Sequence, residues 1–300
     1  MAIPESQLDT WAHQGAMVTS SGTYATVKRA LEAPGTAYAG KAFEVFLQGS
    51  YCNDTNVYAE SDVDVVIRLD ETYFHDISAL SAAQASAFNA AFVPATYSYS
   101  DFKNDVIAAL RKSFGNDVSP GTKAIKIAAS GSRRSADVVV ATQFQRHYSG
   151  TLFPGAYIDY GICFFTPTWT RIANYPKQHS ANCTTKHQAS KLWFKPVVRI
   201  MKNMRNRLIS DKVIEPGIAP SYFIEGMLYN VPNEKFGSSY AETIVAAHGW
   251  LLSLEREALN KLVCANDRHP LIGDNSPTSW PYADYVKFVN AIADLWNKWK

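Results

Sequence analysis

The sequence predicts an α+β fold, a mixed sheet with helices that leads into a helical half. Three observations carry this. Residues 42–49 and 62–69 are short apolar runs rich in β-branched side chains, set apart by a polar loop, which is how strands read. "KAIKIAA" (123–129) and "ADVVVATQF" (136–144) repeat that texture around the basic turn "SGSRRS". From residue 186 onward the apolar side chains recur at helical spacing instead.

Taken in order, residues 5–33 carry helical spacing, with Leu8, Trp11, Met17, Tyr24, Val27 and Leu31 as apolar markers and a break near Ser20–Gly22. "EAPGTAY" is a turn. The strands at 42–49 and 62–69 follow. Residues 76–92 are Ala-rich, helical or partly mobile, and 99–115 form an amphipathic helix stopped by Gly115. "GAYIDYGICFFT" (155–166) reads as a hairpin that continues the sheet. Residues 186–209 form one long basic helix, kinked at Pro196. Further helices fall at 219–230, 238–263 and 281–299. The expected domains are 1–180 and 181–300, with the N-terminal helices folding back onto the second and a ligand cleft between the two.

Composition narrows the function. With 300 residues, 47% hydrophobic and 13% aromatic, the chain can bury a large core. No apolar run reaches membrane-spanning length, and "MAIPESQLDTW" has neither the basic nor the apolar part of a signal peptide. The four cysteines, Cys52, Cys163, Cys183 and Cys264, form no CxxC pair, as in a reduced cytoplasmic protein. A net charge of +2 gives no global pull toward nucleic acid or membrane.

The most informative stretch is "VFLQGSYCNDTNVYAESDVDVVIRL" (45–69). Asp62 and Asp64 lie two apart, so on a strand both point to one face. Two neighbouring carboxylates repel unless a cation lies between them, and oxygen ligands select a hard divalent ion, Mg²⁺ or Mn²⁺. Ahead of them Gln48, Gly49 and Ser50 form a tight turn whose amides and hydroxyl can approach a phosphate. Asp137 heads the run Val138–Val140, either as a strand-start residue or as a third carboxylate. Lys195, Arg199 and Lys202 share one helix face, which reads equally as a solvated basic face or a phosphate clamp. His179, Cys183 and His187 are spaced by four, but no fourth ligand lies nearby in sequence and no zinc is expected.

The pattern "LQGSYCNDTN…SDVDVV" resembles the nucleotidyltransferase superfamily of DNA polymerase beta. More closely it resembles the bacterial cGAS/DncV-like nucleotidyltransferases (CD-NTases), which make cyclic oligonucleotide signals in anti-phage defence. The resemblance implies a polymerase beta-like catalytic core plus a C-terminal helical domain. It also implies Asp62, Asp64 and Asp137 as ligands of two Mg²⁺ ions, with Mn²⁺ able to substitute. "RIMKNM" and "APSYFIE" resemble the helix lysine and Ser-Tyr pair that hold the donor nucleotide, which would set Lys202 and Ser221 on the β- and γ-phosphates and Tyr222 on the base. Without the resemblance Tyr222 reads as a core aromatic and Ser221 as a helix cap. "RIANYPKQH" falls where these enzymes place a base-reading segment. There Asn174, if not simply a strand terminator, points to uridine.

The implied activity is cyclic oligonucleotide synthesis, most simply a cyclic dinucleotide, by a monomer acting on nucleoside triphosphates such as ATP and UTP without a nucleic acid. The product would activate an effector protein encoded nearby. Linear oligoadenylate-type synthesis is the enzymatic rival, and a nucleotide-binding sensor the non-enzymatic one.

Overall fold

The computed structural model describes residues 2–15, 18–58, 62–149 and 157–299. Ser61 of the Ser-Asp-x-Asp run and residues 155–156 of the expected hairpin lie outside them. Along the chain run α1 (Glu5–Ala12), α2 (Val18–Leu31), β1 (Phe43–Leu47), α3 (Gly49–Cys52), β2 (Val63–Ala79), α4 (Ala82–Ala91) and α5 (Tyr99–Phe114). Then come β3 (Val118–Pro120), β4 (Ile125–Ile127), β5 (Ala136–Tyr148), β6 (Tyr157–Phe165) and β7 (Arg171–Asn174). The rest is helical: α6 (Pro176–Ala189), α7 (Phe194–Ser210), α8 (Ser221–Asn230), α9 (Tyr240–Leu252), α10 (Arg256–Leu259) and α11 (Tyr282–Asn297). Among the described residues no helix is long and apolar enough to cross a membrane.

The chain divides into two compact units. One holds Val18–Leu47 and Asp62–Tyr175; the other holds Met1–Met17, Gln48–Ser61 and Pro176–Lys300. The loop after β1 therefore groups with the helices, although it lies between two strands in sequence.

The sheet unit is a seven-stranded mixed sheet with the order β1-β2-β5-β4-β3, and β6 joins β5 to β7. Strands β2 and β5 are parallel, whereas the other pairings are antiparallel. Parallel strands covered on both faces read as unbroken apolar runs. Val63, Val65, Val66, Ile67 and Leu69 are buried accordingly, as are Val138, Val139, Val140 and Ala141. β2 continues to Ala79, ten residues beyond the expected strand end at 69. Register shifts between Leu69 and Tyr73 and between Asp76 and Ala79 disguise it, because a bulge breaks the period of two. The expected 76–92 helix shrinks to α4, which starts behind the capping box of Ser81 and Gln84.

In the helical unit α7 is the central element. Phe194, Val197, Val198, Ile200, Met201, Met204 and Leu208 are all buried in one core with Leu8 of α1 and Phe288 of α11. Residues 186–209 are not one helix. α6 ends at Ala189, and Lys191 and Leu192 adopt positive φ (51° and 70°) before α7 begins. Pro196 does not kink α7, because it sits in the first turn, where its missing N–H costs no helical bond. The expected 238–263 helix breaks between α9 and α10, and the break in 5–33 falls before Val18 rather than at Ser20–Gly22.

Gly161 on β6 is a close-approach point of the sheet unit. A Cβ there would lie 2.6 Å from the Asn174 carbonyl oxygen and 2.9 Å from the Tyr175 ring. Gly161→Ala should destabilise the protein by about 1–3 kcal/mol and lower Tm by roughly 2–10 °C. A calorimetric melt unchanged from wild type would show that the end of β7 tolerates the methyl.

Candidate active site

In the sheet unit the register of the parallel pair sets Asp64 directly opposite Asp137. Register partners on adjacent strands face the same side, and Asp62, just ahead of β2, lies near enough for its charge to act on Asp137. Val63 N–H donates to the Ser135 carbonyl at 3.0 Å, which extends the ladder toward Asp62. Ser135 Oγ donates to Asp62 Oδ1. Asp62 is exposed, whereas Asp64 and Asp137 are half-buried. Burial raises the Asp137 carboxyl above its ordinary value, the Asp62 charge adds to that, and Lys126 partly offsets it. Lys126 faces Asp137 from the other side in the β4–β5 register. The three carboxylates supply hard oxygen donors whose mutual repulsion a divalent ion would remove, so the donor set fits such an ion.

In the helical unit Gln48, Gly49 and Ser50 are half-buried. Gly49 carries φ 70°, a conformation that a side chain would strain. The residues after the turn are tied to it. Asn53 N–H donates to the Gly49 carbonyl at 3.1 Å and Thr55 N–H to the Ser50 carbonyl at 2.9 Å.

The basic helix face is not a solvated one. Lys202 is 0% exposed and donates to the Thr55 carbonyl at 2.9 Å. Lys195 is 7% exposed and pairs with Asp54 at 2.8 Å. Arg199 donates to the Asp54 carbonyl at 2.5 Å and to the Ala12 carbonyl. Ser221 begins α8 as its first residue, behind Pro220, and its Oγ accepts from Arg205 at 3.2 Å. Tyr222 stacks on His179, with centroids 4.9 Å apart and planes at 24°. Its hydroxyl accepts from Asn266 Nδ2 at 2.9 Å. Back in the sheet unit, Asn174 ends β7, and its Oδ1 accepts from Tyr175 N–H at 2.8 Å.

Glu225 was not singled out from the sequence. It is 3% exposed and takes hydrogen bonds from Asn53 Nδ2 (3.0 Å), Thr55 Oγ1 and His179 Nε2 (2.6 Å). Burial drives its carboxyl up, but His179, Lys202 and Thr55 more than reverse this and hold it below the ordinary range. His179, Cys183 and Glu225 bring ligand atoms within 4.8 Å of one another. They nevertheless fit a hydrogen-bonded group better than a metal. Two ligand atoms about 2.0 Å from one tetrahedral ion lie about 3.3 Å apart, well beyond the His179–Glu225 distance. Burial, followed by the Glu225 charge, also pushes the Cys183 thiol far up, which disfavours the thiolate a metal needs.

A family model for the cGAS/DncV-like nucleotidyltransferase C-terminal helical domain matches residues 181–297. The cyclic UMP-AMP synthase of Rhodothermus marinus is 37% identical over 301 residues, covering 100% of this chain and 99% of the relative. The cyclic nucleotide synthase CdnE01 of Staphylococcus haemolyticus is 35% identical over 304 residues and covers both chains fully, at 100% each. The solved structure of Rhodothermus marinus CdnE c-UMP-AMP synthase with Apcpp and Upnpp superposes with a TM-score of 0.87 at 35% identity, over 99% of this chain and 97% of that one. The chain belongs to the cGAS/DncV-like nucleotidyltransferase family. It is a nucleotidyltransferase, and by class a cyclic oligonucleotide synthase. That solved relative carries Apcpp and Upnpp, a second, from Elizabethkingia meningoseptica, carries GTP and Apcpp, and enzymes of this family generally need divalent metals.

The raised Asp137 carboxyl has a consequence for stability. The folded chain holds that proton more tightly than the unfolded chain does. Asp137 therefore weighs against the metal-free fold at neutral pH. The penalty fades as pH falls from the raised value toward the unfolded one. Asp137→Asn should raise Tm of the metal-free protein at neutral pH by about 1–3 °C, the scale of facing like charges in a sheet. The gap should close on acidification. Equal Tm values at all pH would show that Asp137 is not repelled by its neighbours.

Proposed function

We propose that this chain joins uridine and adenosine nucleotides into a cyclic dinucleotide, with two Mg²⁺ ions held by Asp62, Asp64 and Asp137 and Mn²⁺ able to substitute. The observation that carries this is the β2–β5 register, which sets Asp64 opposite Asp137, with Asp62 just ahead of β2 near enough for its charge to act on Asp137. Support for the bases comes from full-length similarity to a relative named cyclic UMP-AMP synthase. The bound cations would neutralise charge on the donor triphosphate and on the departing pyrophosphate.

The protein's own residues do the rest. Amides and hydroxyl of Gly49 and Ser50, next to Gln48, bind the phosphates, joined by Ser221, while Lys202, buried on the Thr55 carbonyl rather than free to grip a phosphate, acts through its charge. Lys195 and Arg199 add positive field through the loop they hold. Tyr222 offers an aromatic face to the base, already oriented from behind by His179. Asn174 offers its amide donors to an acceptor on the second base. Asp137 takes the proton of the acceptor 3′- or 2′-hydroxyl. That oxygen then bonds to the α-phosphorus as the bond to pyrophosphate breaks. The linear dinucleotide re-binds reversed, and a second transfer closes the ring. The enzyme works as a monomer in the cytoplasm, without a nucleic acid, and its product activates a separately encoded effector in anti-phage defence.

Purified protein incubated with ATP, GTP, CTP, UTP and Mg²⁺, then with phosphatase, should yield a resistant product whose mass contains one uridine and one adenosine. A phosphatase-sensitive ladder would mean linear oligomers, and a purine-only product would remove the role given to Asn174. Asp62→Ala combined with Asp64→Ala should lower nucleotide incorporation by about a thousandfold or more. Wild-type turnover by that folded double variant would end the assignment.

A further inference from the structure

We infer that Glu225, set by His179, is a positioning residue for the phosphate-binding turn: it holds Gly49 and Ser50 in place through Asn53 and Thr55. This rests on the reading of Gly49–Ser50 as the phosphate turn and deepens it.

The connection is continuous and double. Glu225 Oε1 takes the Thr55 hydroxyl, and the Thr55 N–H donates to the Ser50 carbonyl at 2.9 Å. Glu225 Oε2 takes the Asn53 amide at 3.0 Å, and the Asn53 N–H donates to the Gly49 carbonyl at 3.1 Å. Each carboxylate oxygen thus controls one carbonyl of the turn through one intermediate residue. His179 Nε2 holds Oε2 at 2.6 Å and fixes the carboxylate plane. A second set of bonds pins the same loop from α7, where Lys202 holds the Thr55 carbonyl and Arg199 the Asp54 carbonyl.

A carboxylate this deeply buried is an expensive device. An apolar side chain of similar volume would serve folding as well or better. What an apolar residue cannot do is accept from Thr55 and Asn53 at once. The turn has to present its amides to a highly charged phosphate tail at a fixed distance. Without an anchor, part of the binding free energy would be spent on ordering it. Glu225 touches no substrate in this scheme; it acts only through the turn.

The test compares a non-hydrolysable ATP analogue with adenosine, both titrated in Mg²⁺ against folded wild type, Glu225→Gln, Thr55→Val and Ser50→Ala. Gln keeps the shape of Glu but brings an amide donor toward donors. Val keeps the shape of Thr but removes its hydroxyl. Both should weaken the triphosphate analogue about 10- to 100-fold, the scale of lost outer-shell partners, and leave adenosine affinity unchanged. Equal losses for both ligands would mean a merely structural role and overturn the inference. So would wild-type triphosphate affinity in Thr55→Val, which stands alone if Glu225→Gln does not fold. Ser50→Ala separates the two levels. If it weakens the analogue while the other two do not, only the positioning role falls. If it too has no effect, the phosphate-turn reading itself has failed.

Discussion

Like charges held close on a sheet impose the constraint around which the sheet unit is arranged. Asp64 and Asp137 are direct neighbours across a parallel pair, with Asp62 immediately ahead of β2. The Asp62 charge acts on Asp137, and that repulsion, with the cost of burying Asp137, has to be carried by the strands beneath. The alternating residues are the answer. Val63, Val65, Ala136 and Val138 are fully or nearly fully buried on either side of the two acids. The apolar grip of the strands therefore holds a charge arrangement that would disperse on a looser support. Parallel pairing matters too, because it brings the same ends of two strands together and lets both strands contribute an acid at one level. Lys126, across the β4–β5 register, supplies only a partial counter-charge.

The helical unit meets the opposite difficulty. It buries Glu225 and Lys202 almost completely, along with His179. Burial of each charge is costly alone and becomes tolerable when every oxygen and proton finds a partner. Here the partners of Glu225 and Lys202 lie mainly on one short loop, residues 53–55, with His179 adding a bond to Glu225 from α6 while its own Nδ1 finds none among the described residues, so the charges that look like a solvated stripe on α7 turn inward and hold that loop. The same cations add positive field at the turn ahead of the loop. One set of side chains thereby serves both packing and electrostatics.

Much of this was legible in the sequence, for physical reasons that differ by residue. Asp62 and Asp64 were readable as a pair because they stand two apart at the head of an apolar run, although β2 itself begins only at Val63. Gly49 was readable because a turn after an apolar strand favours glycine. The pairing of Asp64 with Asp137 depends on strand register, which no local pattern encodes; Asp137 came into view through family resemblance. The far half of β2 was hidden by its bulges and polar residues. The α6–α7 break was hidden because Lys191 and Leu192, not glycines, take the positive φ. Glu225 left no signal, since its loop partners Asn53 and Thr55 lie 172 and 170 positions earlier, His179 lies 46 earlier, and a glutamate in a helix is unremarkable on its face.

Base choice places a last demand on rigidity. Discrimination by one amide requires that its donor stay where a base edge will come, since a mobile group adapts to the wrong base as readily as to the right one. In the base-reading role proposed for it, Asn174 would meet this demand. It stands at the end of β7, with Ile162 opposite it on β6. Its side-chain oxygen is tied to the Tyr175 N–H, which fixes the orientation of the amide. Gly161 lets β6 lie against the Asn174 carbonyl and the Tyr175 ring more closely than any side chain would permit. Tyr175 is itself buried with Phe144 and Cys163. An asparagine that ended its strand in loose coil would satisfy the same sequence pattern. Only a tethered one, backed by a glycine and a buried ring, holds a donor steady enough to favour one base over another.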